Sequence, residues 1–204
     1  VAREDRHQQI LLSAREVFAR SGYHAATVEE IVASAKIARG TFYLYFEDKR
    51  AVFAELVDKL FMRLSMAIVR VDVSEGARNV ESQVRENIRR ILGVLIEDRM
   101  MTKIFLVDAV GVDPAFDGKV HSFHDEVGKL LAESLTEGQG LGVVRPGDVT
   151  LMAHFAMGGL KEVLYQLVVR KNDLAMDTLV DGIYDLVTEG FLIRAVAGAG
   201  AATE

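Results

Sequence analysis

The chain has 204 residues, half of them apolar, with no cysteine and a net charge of −6. That is enough apolar material for one large or two small cores, and it excludes a disulfide framework and thiolate chemistry. No run of about eighteen apolar residues occurs and the opening segment is polar, so the expectation is a cytoplasmic protein with neither membrane helix nor signal peptide.

Only two prolines occur, and apolar residues recur at intervals of three and four, which predicts an all-α fold. A first helix over 4–21 turns Ile10, Ala14, Val17 and Phe18 inward and stops at Gly22. Thr27 and Glu30 form a capping box for a short second helix with Ile31, Val32 and Ala35 on one face. After a tight turn, Phe42 and Phe46 share the inner face of a third helix, while Arg39, Tyr43, Thr41 and Tyr45 are expected on faces turned away from it. A fourth helix from Asp48 to Val71 carries one long stripe, Val52, Phe53, Leu56, Val57, Leu60, Leu64 and Ile68, and bridges the two halves of the molecule. A polar break at 72–79 precedes a fifth helix to Glu97 and a sixth over 101–110, ended by Gly111. Asp113 and Pro114 open a seventh through Leu135, EGQGLG at 137–142 reads as a loop, and two last helices run to Arg170 and from Ala175 to Arg194. The tail from 195 to 204 is rich in small residues and expected to be disordered.

Two short helices around a turn, at 27–49, make a helix-turn-helix, and charge places any nucleic acid there. Residues 1–50 hold eight Lys and Arg against seven Asp and Glu, a balance of +1, whereas the remainder stands at −7. Arg39, Thr41, Tyr43, Tyr45 and Lys49 gather guanidinium, hydroxyl, phenol and ammonium donors around one short helix, the chemistry of phosphate and base-edge contacts. Gly40 lets a backbone come close to a ligand surface. Ala14, Phe18, Gly22, Tyr23, Thr27, Ile31 and Ala35, followed by Gly40, Thr41, Tyr43, Tyr45, Phe46 and Lys49, resemble the DNA-binding domain of the tetracycline-repressor (TetR) family of bacterial transcription regulators. Lys36, Ala38 and Leu44 depart from it, standing where the family usually has a turn glycine, a small hydroxyl residue and a histidine. The expected architecture is an N-terminal three-helix DNA-binding domain over 1–50 and a ligand-binding and dimerisation domain over 51–194.

The resemblance implies a homodimeric, ligand-responsive repressor on a double-stranded, palindromic DNA operator. Arg39, Thr41 and Tyr43 would read or touch the groove, Thr27, Tyr45 and Lys49 would hold phosphates, and Lys36 would add a phosphate contact. The last two helices would pair with their copies. Gly158, Gly159 and Gly190 each weaken a helix by roughly 1 kcal/mol relative to alanine, a cost that close helix approach offsets; packing inside one chain is the alternative. Phe61, Met62, Met66, Met101, Phe105, Phe116, His124, Phe155, Met157 and Tyr165 are the expected lining of an adaptable apolar effector pocket. The run FLVDAVGVDPAFDGKVHSFH resembles family members that sense fatty acyl-coenzyme A. No motif for catalysis or for a cofactor is present. A different class stays open: His121 and His124, one turn apart, with His154 and Asp108, could serve a helical metal-binding enzyme or carrier.

Overall fold

Four helix starts in this protein are fixed locally, by side chains that accept from amides otherwise left unpaired. The computed structural model describes residues 2–72, 74, 76–107, 114–142 and 144–189, with the side chains of 2, 114–116 and 119 outside that description. Its elements are α1 (Ala2–Ser21), α2 (Val28–Ser34), α3 (Arg39–Tyr43), α4 (Lys49–Ala67), α5 (Val80–Glu97), α6 (Arg99–Val107), α7 (Pro114–Gly140), α8 (Val149–Leu164) and α9 (Met176–Thr188). One turn of π-helix, Tyr165–Val169, extends α8. No strand occurs among the described residues, and no helix there is long and apolar enough to cross a membrane.

The Thr27 hydroxyl accepts from the Glu30 amide at 3.2 Å while the Glu30 carboxylate accepts from the Thr27 amide at 2.9 Å, completing the expected box. Asp48, Asn79 and Asp148 cap α4, α5 and α8 with their side chains. Each such cap contributes about 1 kcal/mol relative to alanine. Ala38 opens α3 with no side-chain bond, as its methyl group dictates.

The first three helices and the first turns of α4 form a head, whose buried residues join those of the body in one continuous core. Ile10, Ala14, Val17 and Phe18 of α1 are fully buried and meet Ile31, Phe42, Val52 and Phe53 from the other three helices. The Phe18 and Phe53 rings stand edge to face at 5.4 Å. In the body, Arg85 of α5 donates to Asp181 at 2.6 Å and Asp185 at 3.5 Å and lies 3.9 Å from the Tyr184 ring, binding α5 to α9. Head and body meet at the corner between α5 and α6. There Asp98 accepts from Arg15 of α1 at 3.1 Å, Arg63 of α4 approaches it to 3.8 Å, and Lys103 donates to the Ala19 carbonyl at 3.4 Å. A cavity of about 180 Å³ lies at this junction, lined by Leu11, Arg15, Leu60, Arg63, Asp98 and Met101 among others.

Three boundaries differ from the sequence reading. α4 ends at Ala67 rather than Val71 because side chains of α5 pull the following backbone out of the helix. Asn87 exchanges two hydrogen bonds with Val69, at 3.1 and 2.5 Å, and Gln83 does the same with Asp72, both at 2.8 Å. α6 begins at Arg99, two residues early, because the Asp98 carboxylate accepts from the Met101 amide. The expected loop at 137–142 is helical to Gly140 and turns at Gly142, whose φ is 72°. Gln139 donates to the carbonyls of Arg145 and Gly147, and Arg70 pairs with Glu137, so side-chain bonds to the following turn and to the segment after α4 hold residues that composition alone assigns to a loop. Gly111, Asp113, Gly190 and the tail lie outside the described residues.

Candidate nucleic-acid interface and effector region

The turn between α2 and α3 is built on Lys36, whose φ of 51° is left-handed, the conformation that makes glycine the usual occupant. Beyond it, Phe42 is fully buried and Phe46 nearly so, which fixes the inner face of α3. Arg39, Gly40, Tyr43 and Leu44 are exposed. Arg39 is pre-arranged: it pairs with Glu29 of α2 at 2.9 Å and donates to the Tyr43 hydroxyl at 3.4 Å, its guanidinium 5.7 Å from that ring. The Tyr43 bond and then the Glu29 charge hold its pKa above the ordinary arginine value, so it stays protonated throughout. Thr27 and Lys36 are exposed on the same head.

Thr41 and Tyr45 are half-buried rather than turned clear of the core. Tyr45 lies 6.2 Å from His7 of α1, and His7 stacks on Phe46 at 5.0 Å and meets Glu55 of α4 at 3.0 Å. Lys49 is drawn inward. Its ammonium donates to the carbonyls of Tyr23, His24 and Ala26 at 2.9, 3.0 and 2.8 Å and sits 4.7 Å from the Tyr23 ring. Three protons on three carbonyls leave none for a phosphate, and they also offset the unfavourable position of a cation in the first turn of α4. Neither the Glu29–Arg39 pair nor this clip is signalled by spacing along the chain.

In the body, four aromatic rings converge. Phe61 of α4 stacks on Phe123 of α7 at 3.7 Å, and Phe105 of α6 stands edge-on to both at 5.4 and 6.5 Å. His124 adjoins Phe105 at 5.9 Å, half-buried. Burial, then the Lys161 charge and His121, hold its pKa below the ordinary histidine value. Phe61, Phe105 and His124 thus come together, and Phe123 joins them. Met101 is buried at the head–body junction, and Met157 and Tyr165 are half-buried on α8 and its extension. Met62, Met66 and Phe155 are exposed; adjacency to Phe61 does not bring Met62 inward because neighbours on a helix point about 100° apart. The side chain of Phe116 lies outside the described residues, as does Asp108. His121 and His154 are exposed, and no group of three or more His, Asp or Glu able to hold a metal ion occurs among the described residues.

A three-helix head with a short, donor-bearing reading helix, carried on a larger helical body with its own aromatic cluster, is the architecture of a DNA-binding regulator with a sensing domain. The family model described as "Bacterial regulatory proteins, tetR family" matches residues 10–56, so the head carries the DNA-binding segment of this family of transcriptional regulators. Over 188 residues it is 24% identical to the fatty acid metabolism regulator protein of Bacillus subtilis, covering 91% of this chain and 95% of that one. It also matches an uncharacterized HTH-type regulator of that organism, YdgC, at 32% identity, across 48% of this chain and 51% of the relative's length. Among solved structures, the fatty acid degradation regulator FadR of Bacillus halodurans superposes with a TM-score of 0.78 at 25% identity, covering 93% and 97% of the two chains. FadR of Bacillus subtilis in complex with stearoyl-CoA superposes at 0.75 with 22% identity, covering 91% and 99%.

Proposed function

We propose that the chain acts as a homodimeric repressor. Two copies present α3 to successive major grooves of a palindromic operator, and a small lipophilic effector, acyl-coenzyme A compounds foremost, releases the DNA. The observation that carries this reading is the outer surface of α3, where Glu29 and Tyr43 hold a charged Arg39 beside an exposed phenol. A guanidinium so held can exchange its Glu29 partner for a base edge or a phosphate. Arg39, Thr41 and Tyr43 read or touch the groove, Thr27, Lys36 and Tyr45 approach phosphates, and Gly40 lets the backbone come near. Lys49 acts from behind as a positioning residue, fixing the segment between α1 and α2 against α4.

Dimerisation through α8 and α9 is supported by exposed apolar groups. Leu151 and Phe155, four apart on α8, are 67% and 64% exposed, and Leu186 and Val187 of α9 are exposed too. A Cβ added at Gly158 or Gly159 would touch nothing within 4 Å, so no neighbour in the same chain explains these glycines. A second copy offers matching cover, and it sets two reading helices roughly 34 Å apart, one DNA turn.

α6 is the proposed link between ligand and DNA. Phe105 stands in the aromatic cluster, while Asp98 and Lys103 grip α1. A ligand that binds better to one setting of α4 and α6 shifts the head. Selection of binding sites from random duplex DNA tests the reading. The wild type should enrich a palindrome that Tyr43→Ala loses, and added stearoyl-coenzyme A should release it. An absence of enrichment at low salt would sink the operator, and release by no acyl-coenzyme A of any chain length would sink the effector.

A further inference from the structure

The most exposed large apolar side chain on the head is Leu44, at 74%, and it sits on the reading helix. It is the C-cap of α3, in helical conformation with φ −76° and ψ −16°, so the helical wheel still applies. At roughly 100° per residue Leu44 points about 200° away from Phe42, the fully buried anchor of α3. It therefore lies on the line of α3 farthest from the head core. Gly40 precedes it by four residues on that same line, and a Cβ built there meets nothing within 4 Å, so the fold itself does not demand a glycine. The outermost line of the helix is thus a bare backbone followed by one aliphatic side chain. Tyr43 beside it is 46% exposed, and Arg3, Glu4, His7 and Tyr45 share with Leu44 the lining of an open concavity of about 400 Å³.

A leucine on that line has no donor for a phosphate and no acceptor for a base amino group. The major groove presents one apolar feature, the C5-methyl of thymine. We infer that Leu44 is a specificity-determining residue that packs on a thymine methyl group, with Gly40 allowing the helix to come close enough for the contact. This rests on the operator-binding reading above, and it adds a base preference at a position where the chain offers no hydrogen bond.

The test uses the operator recovered by selection. Each thymine is replaced in turn by uracil, symmetrically in both half-sites, which deletes the methyl and keeps the Watson–Crick edge. One thymine should matter: burial of one methyl-sized group predicts about a fourfold loss per half-site and about fifteenfold for the pair. Leu44→Ala, an exposed substitution checked for unchanged thermal unfolding, should bind the thymine and uracil duplexes alike. If no uracil weakens the wild type, or if the critical uracil weakens Leu44→Ala equally, the thymine contact is overturned while operator binding stands. If the wild type binds no duplex specifically, both readings fall together.

Discussion

The head and the body differ in where they leave apolar residues exposed. In the head, Ile10, Val17, Phe18, Ile31, Phe42 and Phe53 are shut into one core, and the exposed surface of α3 combines Arg39 and Tyr43 with a single aliphatic group, Leu44. In the body, Leu151, Phe155, Leu186, Val187, Met62 and Met66 stay exposed, and Phe105 and Phe123 are only partly covered. At roughly 25 cal/mol per Å² of apolar surface, the head is already stabilised by the core that it shares with the body, whereas the open faces of the body would gain further stability from a second copy or a ligand.

The sharpest way to break that comparison is to charge the open face. Leu151→Arg should leave the fold intact, because the side chain is 67% exposed, yet abolish the dimer and lower operator affinity on the order of 100-fold as the second half-site contact is lost. Sedimentation paired with a DNA titration reads both effects. A dimer that survives with full affinity would show that α8 is not the interface.

In the head the corresponding probe is Lys49→Met. It removes an ammonium shared among three carbonyls and should lower stability by about 2 kcal/mol, measured by denaturant unfolding. Were Lys49 chiefly a phosphate ligand, stability would stay put and the salt dependence of DNA binding would lose roughly one unit of slope.

Between the regions stands Asp98. Asp98→Asn keeps an acceptor for the Met101 amide but discharges the contacts with Arg15 and Arg63, so head and body should move more independently. Operator affinity without ligand should change little while the ligand-induced loss of affinity shrinks about fivefold, the lower end of ordinary coupling. An unchanged ligand response would remove Asp98 from the link. A subtler split is expected at Gly40→Ala, which should stabilise the fold by up to about 1 kcal/mol and still weaken DNA binding by crowding the groove. Tighter binding would mean that the backbone does not approach the DNA there.

What could be seen in the sequence follows the range of the interactions. The Thr27–Glu30 box and the inward set Ile10, Ala14, Phe18, Phe42 and Phe46 depend on partners three or four residues away, and periodicity exposes them. The Lys49 clip joins residues 23 to 26 positions apart, and Asn87 captures Val69 across 18, so neither the role of Lys49 nor the end of α4 was readable. The aromatic cluster is an intermediate case. Phe61, Phe105 and His124 were identifiable as apolar or aromatic positions, but which face each helix presents depends on packing between α4, α6 and α7. Phe123, which stacks on Phe61, was therefore not singled out, whereas Met62, one residue from Phe61, was singled out and is exposed.

The smallest expected effect concerns pH and belongs to the body alone. Burial, reinforced by Lys161 and His121 and opposed by Asp125, holds His124 below its ordinary value of 6.5 in the folded chain. Between that depressed value and 6.5 the unfolded chain binds the proton more readily than the folded one does. Stability is then fully present above about 6.5 and is lost as the pH falls through the folded value. Melting at pH 7.5 and 5.5 should therefore differ more for the wild type than for His124→Gln, which has no proton to gain. His121→Gln removes a like charge but leaves the burial that is the larger cause, so it should retain most of the wild-type slope. Identical slopes for wild type and His124→Gln would mean that the imidazole reaches water freely, and the aromatic cluster would then be an open surface rather than one wall of an effector site.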